Sequence, residues 1–167
     1  MKIIYLAAGH AVLNNDNVTY NDYYIKRDLV CDMLVVDLAH YDILIASPPC
    51  NYYSKANYRR DKSSYSLMTK HLLPDILNKF INIDKPFIVE NVINKKLMRT
   101  IIDKSNCYYF EIGRHCYFTN VFGFSSYAHQ IQKPDNIANL SKKARQGGKN
   151  VNTIFERFIE YVTISKI

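Results

Sequence analysis

The sequence predicts an α/β fold in which helices flank a mainly parallel sheet, with one domain spanning residues 1–167. Short apolar runs at residues 1–8, 42–46 and 87–89 have the length and composition of buried strands. A segment with helical apolar spacing lies between the last two runs, and a similar segment closes the chain. Strands that alternate with helices favour a parallel sheet, and 167 residues suit one domain.

The first half of the chain contains the best-defined strand. Residues 1–8 lack a convincing signal-peptide cleavage site, so we interpret them as a buried strand. A second short strand is expected at Val18–Tyr20, whereas residues 34–38 are apolar and leave strand and helix open. The strand at residues 42–46 is clearest because the two prolines that follow it cannot continue a helix or a sheet ladder.

The middle of the chain predicts a helix followed by a strand. Apolar residues recur every four positions between Ser63 and Ile83, which predicts an amphipathic helix kinked near Pro74. Phe87–Val89 is the next buried strand, and Leu97–Ile102 lies in a short helix. These elements extend the alternation of strands and helices.

The last third of the chain predicts two more strands and a final helix. The strands are expected at residues 108–112 and 117–121. Residues 125–149 are polar and contain proline and glycine, so we expect irregular structure there. Apolar residues at helical spacing between Ile154 and Val162 predict the final helix.

Composition narrows the class of protein. No apolar run approaches the roughly 20 residues of a membrane span, so no membrane partner is expected. A net charge of +7 and fourteen tyrosines suit a nucleic-acid partner, although the codon bias of an AT-rich genome would also give this composition. The four cysteines form no CxxC pair, which predicts no metal site, no disulfide framework and an intracellular, reducing compartment.

Cys50 occupies the most distinctive position in the chain. It follows Ser47–Pro49 at the end of the clearest strand, where α/β enzymes place their reacting groups. The two prolines restrict the backbone, so the thiol should be held in a fixed position. A buried structural cysteine beside a turn is the alternative.

Glu90 stands at the end of the next predicted strand, one strand–helix–strand unit after Cys50. A right-handed parallel crossover brings the two strand ends to the same edge of the sheet. The sequence therefore predicts that a thiol and a carboxyl group face one crevice.

These two motifs carry a resemblance to a known family. Ser47–Cys50 (Ser-Pro-Pro-Cys), followed forty residues later by Glu90–Val92 (Glu-Asn-Val), resembles the DNA cytosine-5 methyltransferases. The short viral and phage members are most similar, because their Pro-Cys turn is followed by Tyr-Ser, here Tyr53–Ser54. Cys31–Met33 resembles the family's Gly-Asp-Ile cofactor segment.

A further match lies near residue 115. Gly113–Asn120 is similar to the family's arginine-bearing strand, with Arg114 at the first arginine position. Cys116 stands where the family has its second arginine, so part of the network that holds the base is altered. Together the matches span residues 31–120.

The resemblance implies a Rossmann-like class I S-adenosylmethionine-dependent methyltransferase fold, compact and partly truncated. It implies that the Cys50 thiolate adds to C6 of cytosine, which activates C5 toward the methyl group. Glu90 would bind N3 and the exocyclic amine and supply a proton to N3, and Arg114 would support the base. The target base would be flipped out of the DNA duplex.

The resemblance also implies that the loop after Cys50 closes over DNA. Residues 51–62 combine basic side chains with tyrosines, which suits contacts to phosphates and bases. The predicted DNA contacts are Ser54, Lys55, Arg59, Arg60 and Lys62. A solvated loop is the alternative for this segment and for a second basic stretch containing Lys142, Lys143, Arg145 and Lys149.

The cofactor end departs from the family pattern. The family opens with Asp-Leu-Phe-x-Gly-x-Gly, but residues 5–11 keep one glycine, and about a dozen residues follow it before Asp22, too few for the usual helix. The resemblance places S-adenosylmethionine at Ala8, Gly9, Asp22, Asp32, Met33 and Pro49. Asp22 would bind the ribose and Asp32 the adenine amine, with a plain surface acid as the alternative for each.

Several alternatives to an active enzyme remain open. Residues 121–149 are too few for a target-recognition domain, so sequence choice would be relaxed or supplied by the loops or a protein partner. The chain could be a non-enzymatic DNA-binding relative that has lost cofactor binding, or an unrelated α/β binding module. An amino-methyltransferase is a third alternative, but Cys50 occupies the position of its stacking aromatic residue.

Overall fold

The computed structural model describes residues 1–131 and 147–165, with side chains omitted at 131 and 147–150. Its centre is a seven-stranded sheet of order β3-β2-β1-β4-β5-β7-β6. The neighbouring strands from β3 to β5 are parallel, and β7 runs antiparallel to both β5 and β6. The strands are β1 (Ile3–Leu6), β2 (Val18–Asp22), β3 (Leu29–Val30), β4 (Ile43–Ala46), β5 (Phe87–Val92), β6 (Tyr108–Ile112) and β7 (His115–Thr119).

Helices cover both faces of the sheet. They are α1 (Ser64–Thr69), α2 (Leu72–Ile81), α3 (Lys95–Lys104), α4 (Phe124–Ile131) and α5 (Gly147–Ile164). One face packs against α4 and α5, and the other against α2, α3 and the chain from Met33 to Leu38. The predicted α/β fold with a mostly parallel sheet is confirmed, and it is compatible with a Rossmann-like fold.

The prediction of one helix kinked near Pro74 is wrong in its details. The helix breaks earlier, between Thr69 and Leu72, and Pro74 lies in the first turn of α2. Proline is tolerated there because the first amides of a helix have no intrahelical partner. At the break, the Tyr53 hydroxyl donates a 2.7 Å hydrogen bond to the carbonyl oxygen of Lys70.

The ambiguous segment at residues 34–38 forms neither a helix nor a strand. The ammonium group of Lys79 donates hydrogen bonds to the carbonyl oxygens of Leu34 (2.7 Å) and Val36 (2.6 Å). Lys85 does the same at Leu38, at 3.0 Å. Two lysines thus replace the backbone partners that a regular element would have provided.

The predictions after residue 110 need two corrections. Residues 125–149 were expected to be irregular, but α4 occupies 124–131, with Phe124 and Ala128 fully buried against α5. The rest of that segment up to residue 146 lies outside the described residues. The last strand begins at His115, earlier than expected, because Gly113 has a φ of +62° and closes a tight hairpin between β6 and β7.

The connection from β1 to β2 contains no helix, as its length predicted. The guanidinium group of Arg27 holds this connection by donating hydrogen bonds to the carbonyl oxygens of Gly9 and Ala11. The same group lies over the Tyr20 ring, 5.4 Å from its centre. Within residues 1–131 and 147–165, no helix is long and apolar enough to cross a membrane.

Candidate active site

A cleft of about 1150 Å³ opens at the carboxyl ends of β1, β2, β4 and β5. The strand order reverses between β1 and β4, and doubly wound sheets bind their ligands at such a reversal. The cleft brings together six of the residues predicted from the sequence: Asp22, Asp32, Met33, Pro49, Cys50 and Glu90.

The turn that carries Cys50 is fixed by hydrogen bonds on both sides. The Ser47 amide donates to the carbonyl oxygen of Leu6 at 3.1 Å, and the Ser54 amide donates to that of Cys50 at 2.8 Å. The buried side-chain amide of Asn91 donates to the carbonyl oxygen of Pro48 at 3.0 Å. The two motifs are therefore joined directly, and Cys50 is held by the strand that presents Glu90.

Glu90 is a largely buried carboxyl group that lines the cleft, with 12% of its side chain exposed. Burial raises its pKa to about 7, and a hydrogen bond with Ser47 opposes this shift. The Ser47 hydroxyl also shares a 3.0 Å hydrogen bond with the Tyr5 hydroxyl. Near neutral pH a substantial fraction of Glu90 is therefore protonated and able to donate a hydrogen bond.

Cys50 is half-buried on the same cleft. Burial raises the pKa of its thiol, and the negative charge of Glu90 raises it further. Protonation of Glu90 removes the second of these effects. The two groups are therefore coupled, because a neutral Glu90 makes the thiolate of Cys50 easier to form.

Arg114 is not brought together with Cys50 and Glu90. It is exposed in the hairpin turn, and its carbonyl oxygen accepts a 3.2 Å hydrogen bond from the Ile93 amide. The neighbouring His115 lines the cleft instead, with Nε2 3.8 Å from Oε1 of Glu90. Strand alternation places His115 and Tyr117 on one side of β7, but the register with β5 is what brings that side to Glu90.

The cofactor residues predicted from the sequence divide into two groups. Asp22, Asp32, Met33 and Pro49 line the cleft, whereas Ala8 and Gly9 do not. Both carboxylate oxygens of Asp22 are engaged, because they accept hydrogen bonds from the amides of Gly9 (2.9 Å), Tyr24 (2.9 Å) and Ile25 (3.1 Å). A carboxylate has about four acceptor positions, so about one remains for a ligand hydroxyl.

The basic loop adjoins the cleft beyond Cys50. Lys55, Arg59 and Lys62 are exposed, while Ser54 and Arg60 are half-buried and Arg60 donates to the carbonyl oxygen of Asn57 at 3.1 Å. The Asn57 side chain donates a 2.9 Å hydrogen bond to the carbonyl oxygen of Asn51 at the cleft. Lys142, Lys143 and Arg145 lie outside the described residues, as does the side chain of Lys149.

Sequence reasoning missed three residues that shape this site. Asn91 binds the turn that carries Cys50, and His115 faces Glu90. Arg27 holds the connection from β1 to β2. Asn91 was visible within the Glu-Asn-Val motif, but its partner lies 43 residues away in sequence. Arg27 carried no signal, because its role depends on two backbone carbonyl groups.

Comparison with known proteins adds no family assignment. No family model matches the chain, and the curated proteins contain no match to it. Among the residues that the structure describes, no group of three or more His, Cys, Asp or Glu side chains could hold a metal ion. Fold and site define an α/β protein in which one cleft holds a thiol and a carboxyl group with a raised pKa.

Proposed function

We propose that this chain is a DNA (cytosine-5) methyltransferase-like protein that transfers a methyl group from S-adenosylmethionine to C5 of cytosine. The observation that carries this proposal is the single cleft that holds Cys50 and Glu90 at the ends of adjacent parallel strands. The hydrogen bond from Asn91 to Pro48 supports it, because it fixes the thiol relative to the carboxyl group. The methyltransferase class of the fold is part of this proposal.

The chemistry requires both groups together. Addition of the Cys50 thiolate to C6 of cytosine places electron density on C5, and a proton from Glu90 to N3 neutralises the charge that develops. A pKa of about 7 suits Glu90 to this task, because it is protonated for donation yet able to ionise. Burial and the negative charge of Glu90 both disfavour the thiolate, so Cys50 loses its proton to solvent most readily while Glu90 is protonated.

The cleft residues fit a nucleoside cofactor in part. Asp22 offers about one acceptor position to a ribose hydroxyl, and the exposed carboxylate of Asp32 suits an adenine amine. Met33 and Pro49 supply apolar contacts on the same wall. When bound, S-adenosylmethionine would supply an electrophilic methyl group.

DNA is the proposed partner at the rim of the cleft. Exposed Lys55, Arg59 and Lys62 can neutralise phosphates next to Cys50, and the Arg59 guanidinium lies 5.5 Å from the centre of the exposed Tyr58 ring. The segment between β7 and α5 is too short for a target-recognition domain, so sequence choice falls to these loops or to a protein partner.

Covalent trapping tests the proposal. DNA containing 5-fluorocytosine is incubated with S-adenosylmethionine and either wild type or Cys50→Ser, and the adduct is scored by denaturing electrophoresis. Fluorine at C5 cannot leave as a proton, so the enzyme stays attached. We expect an adduct with wild type and none with C50S; a wild-type protein that binds the cofactor but forms no adduct refutes the mechanism.

A second candidate is a catalytically inactive DNA-binding protein with a methyltransferase fold. It is favoured by the short β1–β2 connection and by the three amides that already occupy Asp22. Calorimetric titration with S-adenosylmethionine separates the candidates. Absence of binding up to millimolar cofactor, with DNA binding retained, would exclude the enzyme and favour this second candidate.

A further inference from the structure

The position of His115 beside Glu90 follows from the sheet register. Glu90 lies opposite Tyr117 and Val92 lies opposite His115, so Glu90, Tyr117 and His115 share one face of the sheet. His115 Nε2 is 3.8 Å from Glu90 Oε1, and 23% of the His115 side chain is exposed against 12% for Glu90. His115 and Glu90 therefore both line the cleft, and His115 is the more exposed of the two.

Few of the groups around Glu90 can exchange a proton with it near neutral pH. They come from β1, the Cys50 turn and β7, and they are Tyr5, Ser47, Cys50, His115, Cys116 and Tyr117; Arg114 in the hairpin turn acts on His115. Burial raises the pKa of Tyr5 and Tyr117 well above its ordinary value and that of Cys116 to about 12, so these three keep their protons. Cys50 is the proposed nucleophile, so its thiol is not the proton donor for Glu90.

His115 behaves differently from these neighbours. Burial lowers the pKa of its imidazole, and the positive charge of Arg114 lowers it further. A neutral imidazole has one nitrogen that accepts a hydrogen bond and one that donates. An arginine at this place would hold Glu90 ionised, whereas a neutral imidazole adds no positive charge and can accept a hydrogen bond from the protonated carboxyl group.

We propose that His115 is a positioning residue for Glu90, whose imidazole moves from 3.8 Å to hydrogen-bond distance, accepts a hydrogen bond from the protonated carboxyl group and reloads that group with a proton from solvent. The proposal rests on the proposed function of the cleft. During reloading, Nδ1 gains a proton from a hydronium ion while the Nε2–H bond breaks and an O–H bond forms on the Glu90 carboxylate. One proton enters and one leaves, so the imidazole stays neutral and Nε2 becomes the acceptor.

The test is the pH profile of adduct formation on 5-fluorocytosine DNA, measured between about pH 6 and pH 8.5. In His115→Ala, loss of the acceptor and entry of water ease the ionisation of Glu90. We expect the alkaline limb of the profile to move down by about one pH unit, which lowers the rate at pH 8 about tenfold. His115→Gln keeps an acceptor oxygen, so its rate at pH 8 should be close to that of wild type.

His40→Gln is the matched control, because His40 is 81% exposed and lies outside the cleft. Its pH profile should equal that of wild type. If H115A fails to fold, as judged by its melting temperature, His115→Leu provides a larger side chain without an acceptor. A pH profile of the folded variant that coincides with wild type overturns the proposal.

A measurement without DNA or cofactor separates this inference from the proposed function. The titration of the Glu90 carboxyl carbon is followed by ¹³C NMR in the free protein and in H115A, with Glu90→Gln to assign the signal. A lowered Glu90 midpoint in H115A supports the inference, and an unchanged midpoint overturns it. Failure of wild type to form any adduct counts against the proposed function, while the NMR titration still decides the role of His115.

Discussion

Asn91 and Pro48 are 43 residues apart in sequence, and the side-chain amide of one donates a 3.0 Å hydrogen bond to the carbonyl oxygen of the other. Asn91 is fully buried, and its backbone belongs to β5. A carbonyl group next to two prolines has few amide partners nearby, because proline has no N–H to donate. The bond therefore fixes the turn that carries Cys50 against the strand that carries Glu90.

Asn91→Ala tests the importance of this bond. The variant leaves a buried carbonyl oxygen without a partner, which should lower the free energy of unfolding by about 1–3 kcal/mol. If the turn shifts, adduct formation should slow by about 10- to 100-fold as well. Urea unfolding and adduct kinetics measure the two effects, with the exposed Asn106→Ala as control. Wild-type stability in N91A would contradict the structural role.

The raised pKa of Glu90 predicts how stability depends on pH. Its folded value of about 7 exceeds the ordinary value of 4.5, so its contribution to stability is complete below about pH 4.5 and is lost as the pH rises through 7. Wild type should lose up to about 3 kcal/mol of unfolding free energy relative to Glu90→Gln between pH 5 and pH 8. Urea unfolding of both proteins at these two pH values measures the difference. An equal change in unfolding free energy in the two proteins would rule out a raised pKa at Glu90.

The coupling between Cys50 and Glu90 predicts the reactivity of the thiol. Burial and the Glu90 charge both raise the Cys50 pKa, so alkylation by iodoacetamide at pH 8 should be slower than that of a free cysteine. Glu90→Gln removes the charge and should accelerate labelling at pH 8 more than at pH 6. Peptide mass spectrometry follows the rate, and the buried Cys116 serves as an internal unlabelled reference. Equal acceleration at both pH values would argue against the coupling.

The hydrogen bonds of Arg27 predict the stability of the connection between β1 and β2. Its guanidinium group spans the carbonyl oxygens of Gly9 and Ala11, and a lysine cannot reproduce this fork. Arg27→Lys should lower the free energy of unfolding by about 1–3 kcal/mol and weaken S-adenosylmethionine binding. Hydrogen exchange at residues 9–13 and calorimetry report the two effects. Lys26→Met, an exposed neighbour, should leave both unchanged.

The basic loop predicts a salt dependence of DNA binding. Replacing Lys55, Arg59 and Lys62 with glutamine should reduce the slope of log K against log salt by about 2–3, since each phosphate contact contributes about 0.7–0.9. Fluorescence anisotropy measures the slope. Glutamine at the exposed Lys96, Arg99 and Lys104 of α3 removes the same charge outside the cleft. An equal change in both triple variants would show that net charge alone matters.

The β-strands that form the site could be predicted from the sequence. Runs such as Ile43–Ala46 and Phe87–Val89 are buried on both faces, so they are apolar throughout and stand out from the surrounding chain. The edge strand β3 has only two residues and half-exposed or exposed side chains, so it carried no signal. The α4 helix was missed because its polar residues suggested a loop, although Phe124 and Ala128 are buried against α5.

The sequence alone predicts that Cys50 and Glu90 stand at strand ends on one edge of a parallel sheet, because a strand–helix–strand unit returns the second strand in the same direction as the first. The side chains that surround them depend on how the strands pair in three dimensions. His115 faces Glu90 while Arg114 is exposed in the turn, and this depends on a register set by the hairpin at Gly113. Neighbouring residues of a strand point to opposite faces of the sheet. The side chain that faces Glu90 is therefore His115, and not the arginine beside it that the motif suggested.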